Sequence, residues 1–290
     1  MAVVGVLLAG GVSKRFGGDK GLALVEGEPM VRRIAKTLYE AAGQVYLSVK
    51  TAERGVKLSE AANPYVSGFL VDEFQQGPLS GILTAARRLD ADVLLTASLD
   101  VPMLKPETLK NLLNLHASSG ADASSVVWDD GNVETLIQAI SRETVVSYVE
   151  NILNNRQALT RPSDTLRSAN RLLLAHASKL TNNPSEFINI NTPEDLTNPK
   201  PRSTSKTLVK DSLMIEECSR LYKRAAQEQG RQNNYAAALD YLAEASTYLR
   251  RGVSRIACHA LVDSAYMFKQ GGMEEAAYQA RTLASTLSKN

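Results

Sequence analysis

The sequence predicts an α/β protein, a mostly parallel sheet flanked by helices, followed by a small all-α bundle. Three observations carry this. Short, β-branched apolar runs alternate with amphipathic helical segments from the N-terminus to about residue 120. All ten prolines lie at or before Pro201. Beyond that point the chain turns to Ala, Leu, Glu and Arg in long segments that run up to Gly230, Gly252 and Gly272. Strand–helix alternation implies parallel strands with crossover helices, and proline-free, Ala/Leu-rich segments favour helix.

Taken in order, "AVVGVLLA" (2–9) reads as a buried strand. "PMVRRIAKTLYEAAG" (29–43) opens with Pro and closes with Gly, and its apolar residues at 30, 31, 34, 38 and 41 keep helical spacing. "QVYLSVK" (44–50) and "SGFLVDE" (67–73) read as strands, and "GPLSGILTAARRLD" (77–90) as a helix. "DVLLTASLD" (92–100) is the next strand, with a helix from Pro106 to His116 after it. Between 120 and 190 only "ADASSVVW" and "ETLIQAI" carry strand signals. In the tail, "SLMIEECSRLYKRAAQEQG", "NYAAALDYLAEASTYLRRG", "SRIACHALVDSAYMFKQGG" and "MEEAAYQARTLASTL" predict four helices, the first three with left-handed glycine caps. Their spacing resembles tetratricopeptide hairpins without a 34-residue repeat.

The polar run "LTNPKPRSTSKT" (196–207) divides these two textures as a linker would. The expected division is residues 1–198, a linker at 199–206, and a helical domain at 207–290. Charge divides at the same place. From Pro199 onward there are 14 Lys/Arg against 9 Asp/Glu, and before it 19 against 22. A basic tail suits an acidic protein partner.

Composition narrows the class further. The 290 residues are 44% apolar and 22% charged, ordinary for a globular protein. No apolar run approaches the roughly 20 residues a membrane span requires, and no basic region precedes the short first run as in a signal peptide. Cys218 and Cys258 show neither metal spacing nor a disulfide framework. Aromatics do not interleave with the basic residues, so nucleic acid is not an expected partner. A cytoplasmic protein is expected.

The chemistry concentrates in "GVLLAGGVSKRFGGDKGLAL" (5–24). A glycine-rich loop after a first strand suits phosphate, because glycine lets backbone N–H groups approach an anion. The spacing fits neither the Walker A loop nor the dinucleotide fingerprint. Gly10, Gly11, Lys14, Arg15 and Lys20 still assemble an anion site. Asp100 falls at the end of a later strand, where ligands bind in parallel sheets, and a carboxylate there suits a hard cation. "NTPEDL" (191–196) is a capping box, with Thr192 at the cap, Pro193 first in the helix and Asp195 closing it. Asn189 and Asn191, two apart on an expected strand, face one side. His116, His176 and His259 are isolated, show no ligand spacing, and are expected to be surface or packing residues. Trp128 lies near a turn with Asp129 and Asp130.

"LLAGGVSKRFGGDKGLAL", "GPLSGILTA" (77–85), "SLDVPML" (98–104) and "FININTPEDL" (187–196) together resemble, in order and spacing, the molybdenum cofactor guanylyltransferase family. The resemblance covers residues 1–198 and none of the tail. It implies a Rossmann-like nucleotidyltransferase fold and Mg²⁺-dependent transfer of GMP from GTP to the phosphate of molybdopterin, releasing pyrophosphate. It also implies roles. Leu8, Ala9, Gly10 and Gly11 would lie against base and phosphates, and Asp72, Gly77 and Pro78 would line the nucleotide. Arg15 and Lys20 would neutralise the triphosphate, with Asp100 catalytic and holding Mg²⁺. Asn189 and Asn191 would approach the acceptor, and Glu134-Thr135-Leu136 would help form that side. Gly-Gly after Leu-Ala, with "GPLSG", favours guanine over cytosine. The alternatives are another phosphate acceptor (CTP-dependent transfer to molybdopterin, a cobinamide or a sugar phosphate) and a nucleotide-binding adaptor. The adaptor's tail would deliver cofactor to a molybdoenzyme or insertion protein.

Overall fold

Strand β1 (Val3–Leu8) shows how the apolar runs become a two-layered core. Val4, Val6 and Leu8 pack with one buried cluster, while Leu7 and the following Ala9 pack with another on the opposite face. In the computed structural model, which describes residues 1–11, 16–74, 77–156, 161–199 and 207–289, this two-sided burial is repeated across the sheet.

After β1 come a two-strand ribbon, β2 (Leu24–Val25) and β3 (Glu28–Pro29), and helix α1 (Met30–Ala42), closed by Gly43. The alternation continues with β4 (Val45–Val49), α2 (Ala52–Ala62), β5 (Gly68–Val71), α3 (Pro78–Arg88), β6 (Val93–Ser98) and α4 (Pro106–Ser119). The stretch with the weakest signals supplies β7 (Ala123–Val127), β8 (Val133–Ser141), α5 (Arg142–Tyr148), α6 (Ser163–Ser168), β9 (Leu172–His176) and α7 (Ala177–Leu180). Helix α8 (Pro193–Thr197) follows, with the Asp195 carboxylate accepting from the Thr192 N–H at 2.8 Å as the capping box requires.

Among the described residues the strands other than β2 and β3 form one eight-stranded sheet in the order β9-β7-β8-β6-β1-β4-β5, extended beyond β9 by β10 (Leu213–Ile215). Only β8 and β10 run against the others. The mostly parallel, two-sided α/β architecture expected from the alternation is therefore present. Because β8 is reversed, its first residues stand beside the carboxyl end of β6.

The tail departs from its prediction at two points. The segment beginning "SLMIEE" does not start as a helix. Leu213, Met214 and Ile215 pair antiparallel with β9, and α9 (Cys218–Gly230) starts only afterwards. Ile215 is buried, and its strand hydrogen-bonds to β9, which would otherwise be the sheet edge. The left-handed residue after α9 is Gln232 rather than Gly230, whereas Gly252 and Gly272 adopt it after α10 (Asn234–Arg250) and α11 (Ser254–Gln270). Helix α12 (Glu274–Lys289) completes the bundle.

These helices are not separate from the sheet. Tyr222, Tyr241, Tyr248 and Ile256 share a buried cluster with Leu166, Leu172 and Tyr148. Within it lies a fully paired charge network. Arg156 and Arg167 hold Asp164 and Asp263, Arg167 also holds Glu244, and Arg161 reaches Asp263 at 2.9 Å. Three arginines and three acids cancel, as burial of charge demands. The Arg167 guanidinium stacks 4.3 Å from the Tyr222 ring centroid.

His259, on α11, places Nδ1 2.6 Å from Ser163 Oγ. Burial, with the Arg161, Arg255 and Arg167 guanidiniums adding to it, pushes its pKa down to about 3. An unfolded histidine titrates near 6.5, so between those values the unfolded chain binds a proton that the folded chain excludes. Stability is therefore expected to fall as the pH drops below about 6.5, by up to about 1.4 kcal/mol per unit. Urea unfolding midpoints at pH 7, 6 and 5 check this. His259→Asn should flatten the slope, and an unchanged slope would refute the assignment.

Candidate active site

The glycine-rich loop leaves β1 at the carboxyl ends of the parallel strands, and the chain returns there at Asp19. The Asp19 carboxylate caps a short turn, accepting from the Gly21 N–H at 3.0 Å. That turn carries Lys20 inward. Lys20 is only 6% exposed, and its Nζ donates to Asp100 Oδ1 at 2.7 Å. Asp100, two residues beyond β6, keeps a side chain 38% exposed. One wall of the pair is thus dry and the other open to a ligand.

Arg54 on α2 fixes the loop from the far side. Its guanidinium grips Asp19 through two hydrogen bonds, of 2.6 and 2.8 Å, and also donates to the Ala9 carbonyl. The Arg54 hydrogen bonds hold the Asp19 carboxyl below its ordinary range, against the opposing effect of burial. One side chain therefore joins the end of β1 to the turn that positions Lys20.

A second group lies at the ends of β4 and β5. Ser48 Oγ donates to Asp72 Oδ1 at 2.6 Å, and burial pushes the Asp72 carboxyl up, outweighing that hydrogen bond. A Cβ on Gly10 would lie 3.0 Å from Asp72 Oδ2, so the bare backbone lets the carboxylate reach the loop. Asp72, Lys50, Phe74 and Gly77 line a cavity of about 370 Å³. Gly77 has φ +62° immediately before α3, a conformation that side chains strain to adopt. Pro78 then starts the helix at a position where no N–H is needed.

A third group forms where β6 and the reversed β8 meet. Ser98, Glu134, Thr135, Asn189 and Arg255 are among the residues around a cavity of about 260 Å³. Trp128 Nε1 donates to Glu134 Oε1 at 2.7 Å, and the Trp128 ring meets Phe187 edge-on at 5.2 Å. The Ile190 N–H donates to the Asp100 carbonyl at 2.8 Å, which ties this wall to the Lys20–Asp100 pair.

The predicted residues divide accordingly. Leu8, Ala9 and Gly10 stand at the end of β1 with Gly11 next to them. Lys20 and Asp100 touch, and Asp72 and Gly77 both line the second cavity, with Pro78 next to Gly77 at the start of α3. Arg15 and Lys14 lie outside the described residues. Asn189 lines the third cavity, but residues 188–191 are not the expected strand. Ile188 and Ile190 point into a small apolar cluster and leave Asn189 and Asn191 exposed. The Asn191 N–H is engaged by Asp195 at 2.8 Å. The histidines, expected at the surface or in packing, are held by specific partners. His116 bonds Ser124, and His176 bonds Asp129 and Ser178. Sequence reasoning missed Arg54, Ser48 and Arg255. Thr51, whose hydroxyl caps α2, was the available signal for a helix that would carry Arg54.

Among the described residues no three His, Cys, Asp or Glu side chains cluster as a resident metal site. A single half-open carboxylate fits a different case. Magnesium commonly keeps several waters and enters with substrate phosphates on one or two carboxylates. Asp100 suits such a substrate-borne ion. No helix among the described residues is long and apolar enough to cross a membrane.

Comparison with known proteins adds four findings. Residues 5–176 match the model of the MobA-like NTP transferase domain. A probable molybdenum cofactor guanylyltransferase of Bacillus subtilis is 34% identical over 206 residues, 71% of this chain and 98% of the relative. One from Thermococcus gammatolerans is 32% identical over 196 residues, 67% and 97% of the two chains. In structure, the molybdopterin-guanine dinucleotide biosynthesis protein A of Archaeoglobus fulgidus superposes with a TM-score of 0.55. It is 24% identical and covers 68% of this chain and 95% of its own, which speaks to the fold. These matches fall on the N-terminal part and account for nearly all of each relative.

Proposed function

The chain belongs to the MobA-like NTP transferase family, a family of nucleotidyltransferases, and on that premise we propose that it transfers GMP from GTP to the phosphate of molybdopterin. An oxygen of the acceptor phosphate attacks the α-phosphorus, forming the new P–O bond. The bond to the bridging oxygen breaks, and pyrophosphate leaves with the electron pair. The observation that carries this reading is the Lys20–Asp100 contact at the carboxyl ends of β1 and β6.

In this assignment Leu8, Ala9, Gly10 and Gly11 present backbone to the nucleotide, and Asp72, Gly77 and Pro78 border its nucleoside. Lys20 draws charge toward the leaving pyrophosphate, with Arg15 as its second cation. A charge already fixed in a water-poor site needs no reorganisation during the reaction. Asp100 would hold Mg²⁺, which would offset phosphate charge. Asn189 and Asn191 border the acceptor, beside Glu134, Thr135 and Leu136. The helical tail is the part open to a protein partner.

Pyrophosphate release with GTP or CTP, with and without molybdopterin and Mg²⁺, tests the proposal. Release is expected only with GTP, molybdopterin and Mg²⁺ together. Release with CTP but not GTP would overturn the base assignment, and release with a sugar phosphate or cobinamide but not molybdopterin would overturn the acceptor. Nucleotide binding without release under every condition would favour the adaptor.

A further inference from the structure

We propose that Arg255, contributed by the C-terminal helices, is part of the acceptor site and binds the acceptor's phosphate. This rests on the reading above for the identity of the acceptor, but the placement of Arg255 does not. Among the described residues, Arg255 and Glu134 are the two charged ones around the cavity where β6 meets β8. Glu134 is engaged by the Trp128 indole. Arg255 is exposed, and among the described residues its guanidinium donates no hydrogen bond. A guanidinium presents several N–H donors to phosphate in a planar fork.

Helix α11 holds Arg255 there through successive turns. Its first turn is locked to the β7–β8 connection. The Arg255 N–H donates to the Gly131 carbonyl at 3.2 Å, and Ser254 Oγ donates to the Asp130 carbonyl at 3.1 Å. Four residues later His259 meets Ser163, and four further on Asp263 enters the arginine network. Positions i, i+4 and i+8 share one face of a helix. The same stripe that docks the bundle therefore aims its first member at the cavity.

A hydrogen-bond chain connects dock and cavity. Thr165 donates to Gln138 Oε1 at 2.9 Å, and Gln138 Nε2 donates to the carbonyl of Thr135, a cavity residue. The relatives are matched almost end to end by about 200 residues of this chain, within which the family model stops at residue 176. Arg255 is thus an addition to the shared domain, placed on the side of Asn189 rather than of Asp72.

Steady-state kinetics of Arg255→Gln and Arg255→Lys provide the test, with molybdopterin and GTP varied separately. Arg255→Gln is expected to raise KM for molybdopterin about ten- to hundred-fold, the loss of one charge-assisted contact, with KM for GTP within about two-fold of wild type. Arg255→Lys should recover part of the difference, and thermal stability should not move. An unchanged KM for molybdopterin overturns the inference, as does an equal rise in both KM values. A wild-type chain inactive toward molybdopterin overturns the functional reading instead. The Arg255 site is then decided by inorganic phosphate titration, read by fluorescence of Trp128, the only tryptophan. A saturable response lost in Arg255→Gln supports the site, and identical titrations remove it.

Discussion

Lys20→Met is expected to lower the turnover number by about two to three orders of magnitude, the range found when one preorganised charge-stabilising donor is removed. The argument starts from burial. Lys20 is 6% exposed, so the site already contains a positive charge in a region of reduced dielectric. Its partner Asp100 is open enough to regain water, and removal of the ammonium does not strand an anion. Methionine retains the length and apolar stem. The fold should therefore survive while the charge that receives the leaving pyrophosphate is lost. Initial rates of pyrophosphate release, alongside GTP affinity and thermal unfolding, separate the two effects. A turnover number within three-fold of wild type would remove Lys20 from the proposed chemistry.

Arg167→Met should be the most destabilising single change of this kind, costing about 3–5 kcal/mol. Arg167 is fully buried, and its guanidinium holds Glu244 through bonds of 2.8 and 2.6 Å. It also meets Asp164 at 2.9 Å and Asp263 at 2.7 Å. A buried network of this sort adds little beyond what apolar packing would give, because desolvation offsets most of the attraction. Breaking it is another matter, since Glu244 is left buried in a dry core without its main partner. Burial already pushes the Glu244 carboxyl upward despite Arg167, and without Arg167 that effect is unopposed by its main partner. Urea unfolding of the variant measures the loss, and Arg167→Met with Glu244→Leu should restore part of it. Deleting residues 207–290 takes Glu244 and Asp263 from the same arginines and is expected to give a poorly soluble fragment. A loss below about 1 kcal/mol in Arg167→Met would show that the network is not a dock.

Local signals were strong where each segment's own pattern sufficed. The alternation of Val4, Val6 and Leu8 against Leu7 and Ala9 already specifies a strand buried on both faces. The glycine-rich loop, "GPLSG" and "SLDVP" each mark a strand or helix end, and parallel strands gather such ends at one edge. Lys20 and Asp100, 80 residues apart, were therefore readable as neighbours before any distance was known. Between 120 and 190, "ADASSVVW" and "ETLIQAI" became β7 and β8, whereas β9 (Leu172–His176) escaped because a short unbroken apolar run does not by itself distinguish strand from helix. Residues 213–215 resisted for another reason. Their strand character comes from pairing with β9, which no window of local sequence contains.

By itself the sequence determined the α/β alternation, the family, and the loop and strand-end residues that can handle a nucleotide. These follow from short-range periodicity and from glycine, proline and charge at fixed spacing. Only the tertiary structure decided that Arg54 braces the loop, that β8 runs backwards beside β6, and that the basic tail is docked on the sheet with Arg255 at a cavity. Each of these depends on which groups meet after burial, when unpaired charges and backbone groups must find partners far away in the chain.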